Sequence, residues 1–121
     1  MNVFDASALL AYLRGETGVD VVRELLDAGG VCGAANWAEV AQKVRCAGAD
    51  WDLARALLLS HELTVEPVTM ADAEAAASMW RAGEGLSLGD RLCLALAVRL
   101  GATACTADSG WRGRPGVALI R

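Results

Sequence analysis

The sequence predicts a three-layer α/β/α domain built on a central, mainly parallel sheet of four to five strands. Two observations lead there. Short apolar runs of strand type alternate with longer segments of helical periodicity, the pattern of βαβ crossovers. The chain has 121 residues, 55% of them hydrophobic, which is the length of one domain with ample material for a core. No linker, repeat or low-complexity run divides residues 1–121.

The elements follow in order. Val3-Phe4-Asp5 opens a short strand, and Ala6 to Leu13 has helical composition up to Arg14-Gly15. Thr17 or Gly18 begins a second helix through about Ala28, with Val21, Val22, Leu25 and Leu26 on one face. Gly29-Gly30 stops it, and Val31 to Ala34 reads as a second strand. Asn36 is expected to cap a helix to about Ala47, and Asp50 another over 51–60. Leu63 to Val68 is a third strand or extended segment. Thr69 begins a helix to about Arg81. Ser87 caps an apolar helix ending before Gly101, with the stripe Leu92, Leu96 and Leu100 expected in the core. Ala102 to Thr106 is a strand, and Val117 to Ile120 suits a last one.

Composition narrows the class. The longest uncharged apolar run, Leu92 to Val98, is far short of the ~20 residues that span a bilayer. The amino terminus has no basic stretch before an apolar one, so no secretory signal is expected and a cytoplasmic setting is. Cys32, Cys46, Cys93 and Cys105 lack metal-site or redox spacing and read as small buried hydrophobes. His61, the one histidine, reads as a surface or capping residue. The net charge of −4 argues against a tight general binder of nucleic acid, whose phosphates favour a basic face. Four acids, Asp5, Glu39, Asp90 and Asp108, account for that excess: without them 11 acids face 11 bases.

In an open parallel sheet, ligands gather beyond the carboxyl ends of the strands. Asp5 and Asp108 fall just past two predicted strands, and Glu39 and Asp90 lie one turn into helices that start at that same edge. Each also fits a structural role. Asn36 to Glu39 and Ser87 to Asp90 have capping-box spacing, Asp5 suits a helix cap, and Asp108 suits a turn before Ser109-Gly110. Thr69 to Asp72 shows the same spacing, and Asp72 is read as a cap only. Four carboxylates in one crevice would raise one another's pKa values, and a divalent cation relieves the repulsion. Oxygen donors without His or Cys suit a hard ion, Mg²⁺ or Mn²⁺. Such an ion lowers the pKa of water and offsets charge on a phosphodiester, which is a route to hydrolysis.

Four segments carry a resemblance: Val3-Phe4-Asp5-Ala6-Ser7-Ala8-Leu9, Asn36-Trp37-Ala38-Glu39-Val40, Leu86-Ser87-Leu88-Gly89-Asp90-Arg91-Leu92 and Thr103-Ala104-Cys105-Thr106-Ala107-Asp108. In order and at this spacing, they make the whole chain resemble the PIN-domain family, most of all its small VapC-type toxin ribonucleases. The resemblance implies a parallel sheet flanked by helices and Mg²⁺- or Mn²⁺-dependent endonuclease action on single-stranded RNA. It implies that Asp5, Glu39, Asp90 and Asp108 form the catalytic, metal-binding quartet. Ser7 and Thr106 match hydroxyl positions beside the acids, where they either orient a carboxylate or make ordinary local hydrogen bonds. It also implies a homodimer and a cognate antitoxin that covers the pocket.

Other residues divide between roles. Arg112 and Arg114 follow Asp108 in an irregular loop and are candidates for RNA contact or for a solvated surface. Arg91 is expected to face away from Asp90, because a helix turns ~100° per residue. Trp37 and Trp111 are expected to pack rather than stack on bases. Leu9, Leu10 and Leu13, with the second helix, could form an apolar dimer or antitoxin surface. A response-regulator receiver fits poorly, since Lys43, the one lysine, lies within a helix. A PIN fold kept only for protein contacts, or a PIN nuclease outside a toxin–antitoxin pair, remain the rival readings.

Overall fold

A computed structural model describes all residues 1–121. Strand β1 (Asn2–Phe4) is followed by helices α1 (Ala6–Arg14) and α2 (Val19–Asp27). Then come β2 (Gly30–Gly33), α3 (Ala34–Cys46), α4 (Trp51–Leu59), β3 (Leu63–Glu66), α5 (Met70–Ser78) and α6 (Leu88–Leu100). The chain ends with β4 (Thr103–Thr106), a 3₁₀ turn at Ser109–Trp111, and β5 (Val117–Leu119).

All five strands are parallel, in the order β3-β2-β1-β4-β5. Alternation along each strand divides the core into two layers. Phe4, Cys32 and Cys105 point to the side covered by α1 to α4. Val3, Val31 and Ala104 point to the side of α6, where Cys93, Leu96 and Ala97 meet them. Of the expected leucine stripe, Leu96 is buried, while Leu92 and Leu100 are half-buried at the margins. Helix α5 packs on α6 and is locked to it by Arg99, whose guanidinium grips both oxygens of buried Asp72 at 2.8 and 3.1 Å. Asp72 is therefore a helix cap, as expected, and an ion-pair partner as well.

The strand order reverses between β1 and β4. Chain growth moves outward from β1 through β2 to β3, then returns across the other face to β4. The carboxyl ends of β1 and β4 therefore flank the topological switch point, where open α/β sheets hold their ligands.

Several boundaries differ from expectation. Asn36 is not a cap: β2 runs straight into α3, whose first turn starts at Ala34 after the extended Gly33. Asn36 is thus the third helical residue and is buried, and Glu39 is the sixth, outside any capping box. The third strand stops at Glu66, before Pro67, which has no N–H for a ladder bond. Helix α5 stops at Ser78 rather than near Arg81. No helix is long and apolar enough to cross a membrane.

Candidate active site

The switch point is organised around Asp5. Its carboxylate is buried and caps α1, with Oδ1 accepting from the Ala8 N–H at 2.9 Å. Oδ1 also accepts from the Ser7 hydroxyl at 2.7 Å, so both of its in-plane lone pairs are engaged. Oδ2 accepts from the Thr106 hydroxyl at 2.6 Å and keeps one lone pair free. Burial raises the Asp5 pKa above its ordinary value; the hydrogen bonds from Thr106, Ala8 and Ser7 pull it down, and the nearby charge of Asp90 adds to the rise.

Ser7 and Thr106 do more than touch Asp5. Ser7 Oγ accepts from the Ala107 N–H at 2.9 Å, and Thr106 Oγ1 accepts from the Asp108 N–H at 3.0 Å. Each hydroxyl thus donates to the carboxylate of β1 and accepts from the backbone that leaves β4. The pair stitches the two carboxyl ends together and fixes where Asp108 emerges. Asp108 itself is exposed and caps the 3₁₀ turn, its Oδ1 accepting from Gly110 N–H at 2.8 Å.

Asp90 and Glu39 approach from the flanking helices. Helix α6 runs back along β4, so its amino terminus stands at the same sheet edge. There Ser87 and Asp90 form a capping box, with Asp90 Oδ2 accepting from Ser87 N–H at 3.0 Å. Glu39 reaches that terminus from α3: its Oε1 lies 3.8 Å from the place a Cβ on Gly89 would take. Its Oε2 holds Lys43 one turn on, at 3.4 Å. The four acids therefore share one rim, yet three of them are turned toward local partners. No three His, Cys, Asp or Glu side chains stand in an arrangement ready to hold a metal.

The remaining candidates sort clearly. Arg112 is exposed and makes no ion pair. Arg114 pairs with Glu84 from the loop before α6, so its guanidinium has a partner within the chain. Arg91 faces away from Asp90, as expected, and donates to Ala76 O of α5 at 2.9 Å. Trp111 is buried in the α6-side core, and Trp37 packs edge-on against Trp51 with ring centres 5.3 Å apart. His61 is half-buried: it lies between the Tyr12 hydroxyl at 2.7 Å and the exposed Asp27 at 2.8 Å, on the opposite edge of the sheet. All four cysteines are free, but Cys46 is exposed, since it ends the last turn of α3. Burial pushes the Cys32 thiol up to about 12 and the Cys105 thiol to about 11, so both stay protonated and serve as apolar packing. Asn36, read from sequence only as a cap, instead bonds the backbone of Ala6 and Gly89, next to Asp5 and Asp90. Its capping-like spacing to Glu39 concealed a position inside the helix.

A parallel sheet with a switch-point rim of carboxylates defines a class, and the sequence agrees with it: residues 3–116 match the PIN-domain family, to which this chain belongs. Among solved structures, it is similar to a toxin–antitoxin complex from Klebsiella pneumoniae, at TM-score 0.79 and 20% identity, over 100% of this chain and 98% of that one. It is also similar to Mycobacterium tuberculosis VapC20, described as a Sarcin-Ricin loop cleaving toxin, at TM-score 0.77 and 20% identity over 97% of each chain. A third is VapBC2 from Rickettsia felis bound to a promoter DNA fragment, at TM-score 0.72 and 15% identity, over 98% and 96% of the two chains. At these identities the likeness is one of fold. No curated protein matches the sequence.

Proposed function

We propose that this chain is a metal-dependent endoribonuclease of the VapC type, the toxin of a toxin–antitoxin pair, which hydrolyses phosphodiester bonds in single-stranded or loop RNA. The observation that carries the reading is the place of Asp5 and Asp108 just past β1 and β4 at the switch point, with Asp90 in the first turn of α6 and Glu39 of α3 beside Gly89. A carboxylate kept in a buried site beside a second acid is the other support, because a cation relieves both the desolvation and the repulsion.

The donor set suits Mg²⁺ or Mn²⁺, being all carboxylate with no imidazole or thiolate on the rim. Asp5 would bind through Oδ2, the oxygen with a free lone pair, while Ser7 and Thr106 hold its plane fixed. Glu39, Asp90 and Asp108 would complete the site by turning from their local contacts, of which the one held by Glu39 is weak. The Lys43–Glu39 pair is an exposed i,i+4 contact of about 0.3–0.5 kcal/mol. A bound ion supplies Lewis acidity toward water and the phosphodiester. Arg112, free and close in sequence to Asp108, is the residue suited to an RNA phosphate.

The fold likeness to toxin–antitoxin structures supports a cognate antitoxin as partner, and the proposal places the pair in the cytoplasm. An apolar groove of about 290 Å³ runs between α1, α3 and α4, lined by Leu10, Leu13, Val44, Leu53 and Leu57, and offers it an apolar seat. Leu9 and Leu10, expected to share such a surface, are both buried in the core, and Leu13 is half-buried. Trp80 and Val98 are exposed beside the α5–α6 layer and suit self-association into a homodimer.

One cleavage assay tests the reading. Purified protein is mixed with a panel of structured RNAs in Mg²⁺, in Mn²⁺ or in EDTA, beside an Asp5→Asn variant. Cleavage that needs metal and is lost in the variant is expected. Absence of metal-dependent cleavage, or equal cleavage by the variant, would leave a PIN fold kept for protein contacts.

A further inference from the structure

The acids of the rim sit on separate elements, and one buried side chain joins three of those elements. Asn36 Oδ1 accepts from the Ala6 N–H at 3.0 Å, and Asn36 Nδ2 donates to the Gly89 carbonyl at 3.1 Å. Ala6 follows Asp5, Gly89 precedes Asp90, and Asn36 itself stands one turn before Glu39 on α3. We propose that Asn36 is a positioning residue, whose carboxamide brackets the α1 and α6 amino termini and so sets the spacing of Asp5, Glu39 and Asp90. This inference rests on the metal-site reading given above.

The chemistry of the bracket selects a carboxamide. A peptide N–H can only donate and a peptide carbonyl can only accept, so the orientation of the amide is dictated by its two partners. Asparagine presents one acceptor and one donor on a single plane at the right reach. Leucine fills the same volume and satisfies neither partner. Serine is too short to span both. The Ala6 N–H is one of the first-turn donors that no helical carbonyl serves, so Asn36 also completes the capping that Asp5 begins at Ala8. The close approach of the layers depends on Gly33 as well: a Cβ there would stand 3.2 Å from Leu96 Cδ2 of α6. With β2 entering α3 without a loop, the first turn of α3 is held against both neighbouring helix ends.

Asn36 reaches no reacting group, so its effect must be read at the acids. Groups that orient metal ligands typically change metal affinity by about 10–100-fold when removed. The test titrates EDTA-stripped protein with Mn²⁺ by calorimetry for wild type, Asn36→Leu, Asn36→Ser, Asp5→Asn and Asp72→Asn. Asp72→Asn breaks the Arg99 pair far from the rim and serves as a control for lost stability alone. Wild type and Asp72→Asn should bind alike, Asp5→Asn should not bind, and both Asn36 variants should bind about 10–100-fold more weakly. In metal-free protein, amide exchange at Ala6 should be faster in the Asn36 variants and unchanged in Asp72→Asn. Tight binding by the Asn36 variants, within about twofold of wild type, would overturn the bracket while leaving the metal site standing. So would equal weakening in Asp72→Asn. Failure of wild type itself to bind Mn²⁺ would instead remove the metal reading, and the positioning role with it. If Asn36→Leu does not fold, Asn36→Ser carries the comparison.

Discussion

Thr106 and Asp5, 101 residues apart in sequence, are joined by a 2.6 Å hydrogen bond from the threonine hydroxyl to Asp5 Oδ2. The same hydroxyl accepts from the Asp108 N–H. Replacing Thr106 by valine keeps the shape and removes both bonds. Fold stability should drop by about 1–3 kcal/mol, the usual cost of leaving buried polar groups unpaired. The Asp5 pKa should move further up, since one of the influences lowering it is gone. RNA cleavage should fall by about 10–100-fold. Urea unfolding and cleavage rates of Thr106→Val measure the two effects separately.

Metal should stabilise the wild-type fold and not the Asp5→Asn fold. A ligand present at 100 times its dissociation constant adds about 2.7 kcal/mol to stability. The melting temperature of wild type should therefore rise with Mn²⁺ and return on adding EDTA. The Asp5→Asn melt should be unmoved by either. In the absence of metal, Asp5 is an acid whose folded pKa lies above its unfolded value. Its contribution should weaken the fold as pH rises through the range just above the ordinary value of 3.8, and Mn²⁺ should reduce that loss.

Asp72 shows the opposite sign. The Arg99 hydrogen bonds hold its carboxyl below the ordinary value of 3.8. The stability it contributes is therefore fully present above 3.8 and is lost as pH falls through its lower folded value. Asp72→Asn should unfold at lower urea than wild type at pH 7. The gap between the two midpoints should close as pH drops below that window.

The two loop arginines should separate in a salt titration of RNA binding. Arg112→Ala should weaken binding and reduce the slope of log affinity against log salt by about one, as expected for one phosphate contact. Arg114→Ala should leave the slope unchanged, because its guanidinium is held by Glu84. An equal change in slope for both variants would show that the Glu84 pair opens to RNA.

Much of the site is legible in the sequence because its residues sit at element ends. Asp5 and Asp108 follow short apolar strands, and a parallel sheet sends every such end to one edge. Asp90 carries its own capping box, so its place at the start of α6 can be read from four residues. Asn36 could not be read that way. Its spacing to Glu39 fits a capping box, and only the direct passage of β2 into α3 puts it inside the helix. His61 was equally opaque, because its partners Tyr12 and Asp27 come from two other helices.

The alternation of apolar runs and periodic helices by itself determined a parallel α/β sheet, since crossover helices are the one economical way to join parallel strands. The acidic residues at strand and helix ends marked the carboxyl edge of the sheet as the candidate site. The tertiary structure decided the rest. It placed β4 rather than β2 against the far side of β1, which put Thr106 on Asp5. It turned Arg114 to Glu84 and left Arg112 free. It set Asn36 between α1 and α6. These are contacts between residues 30 to 101 positions apart, and their partners are chosen by packing of whole layers, not by any local pattern.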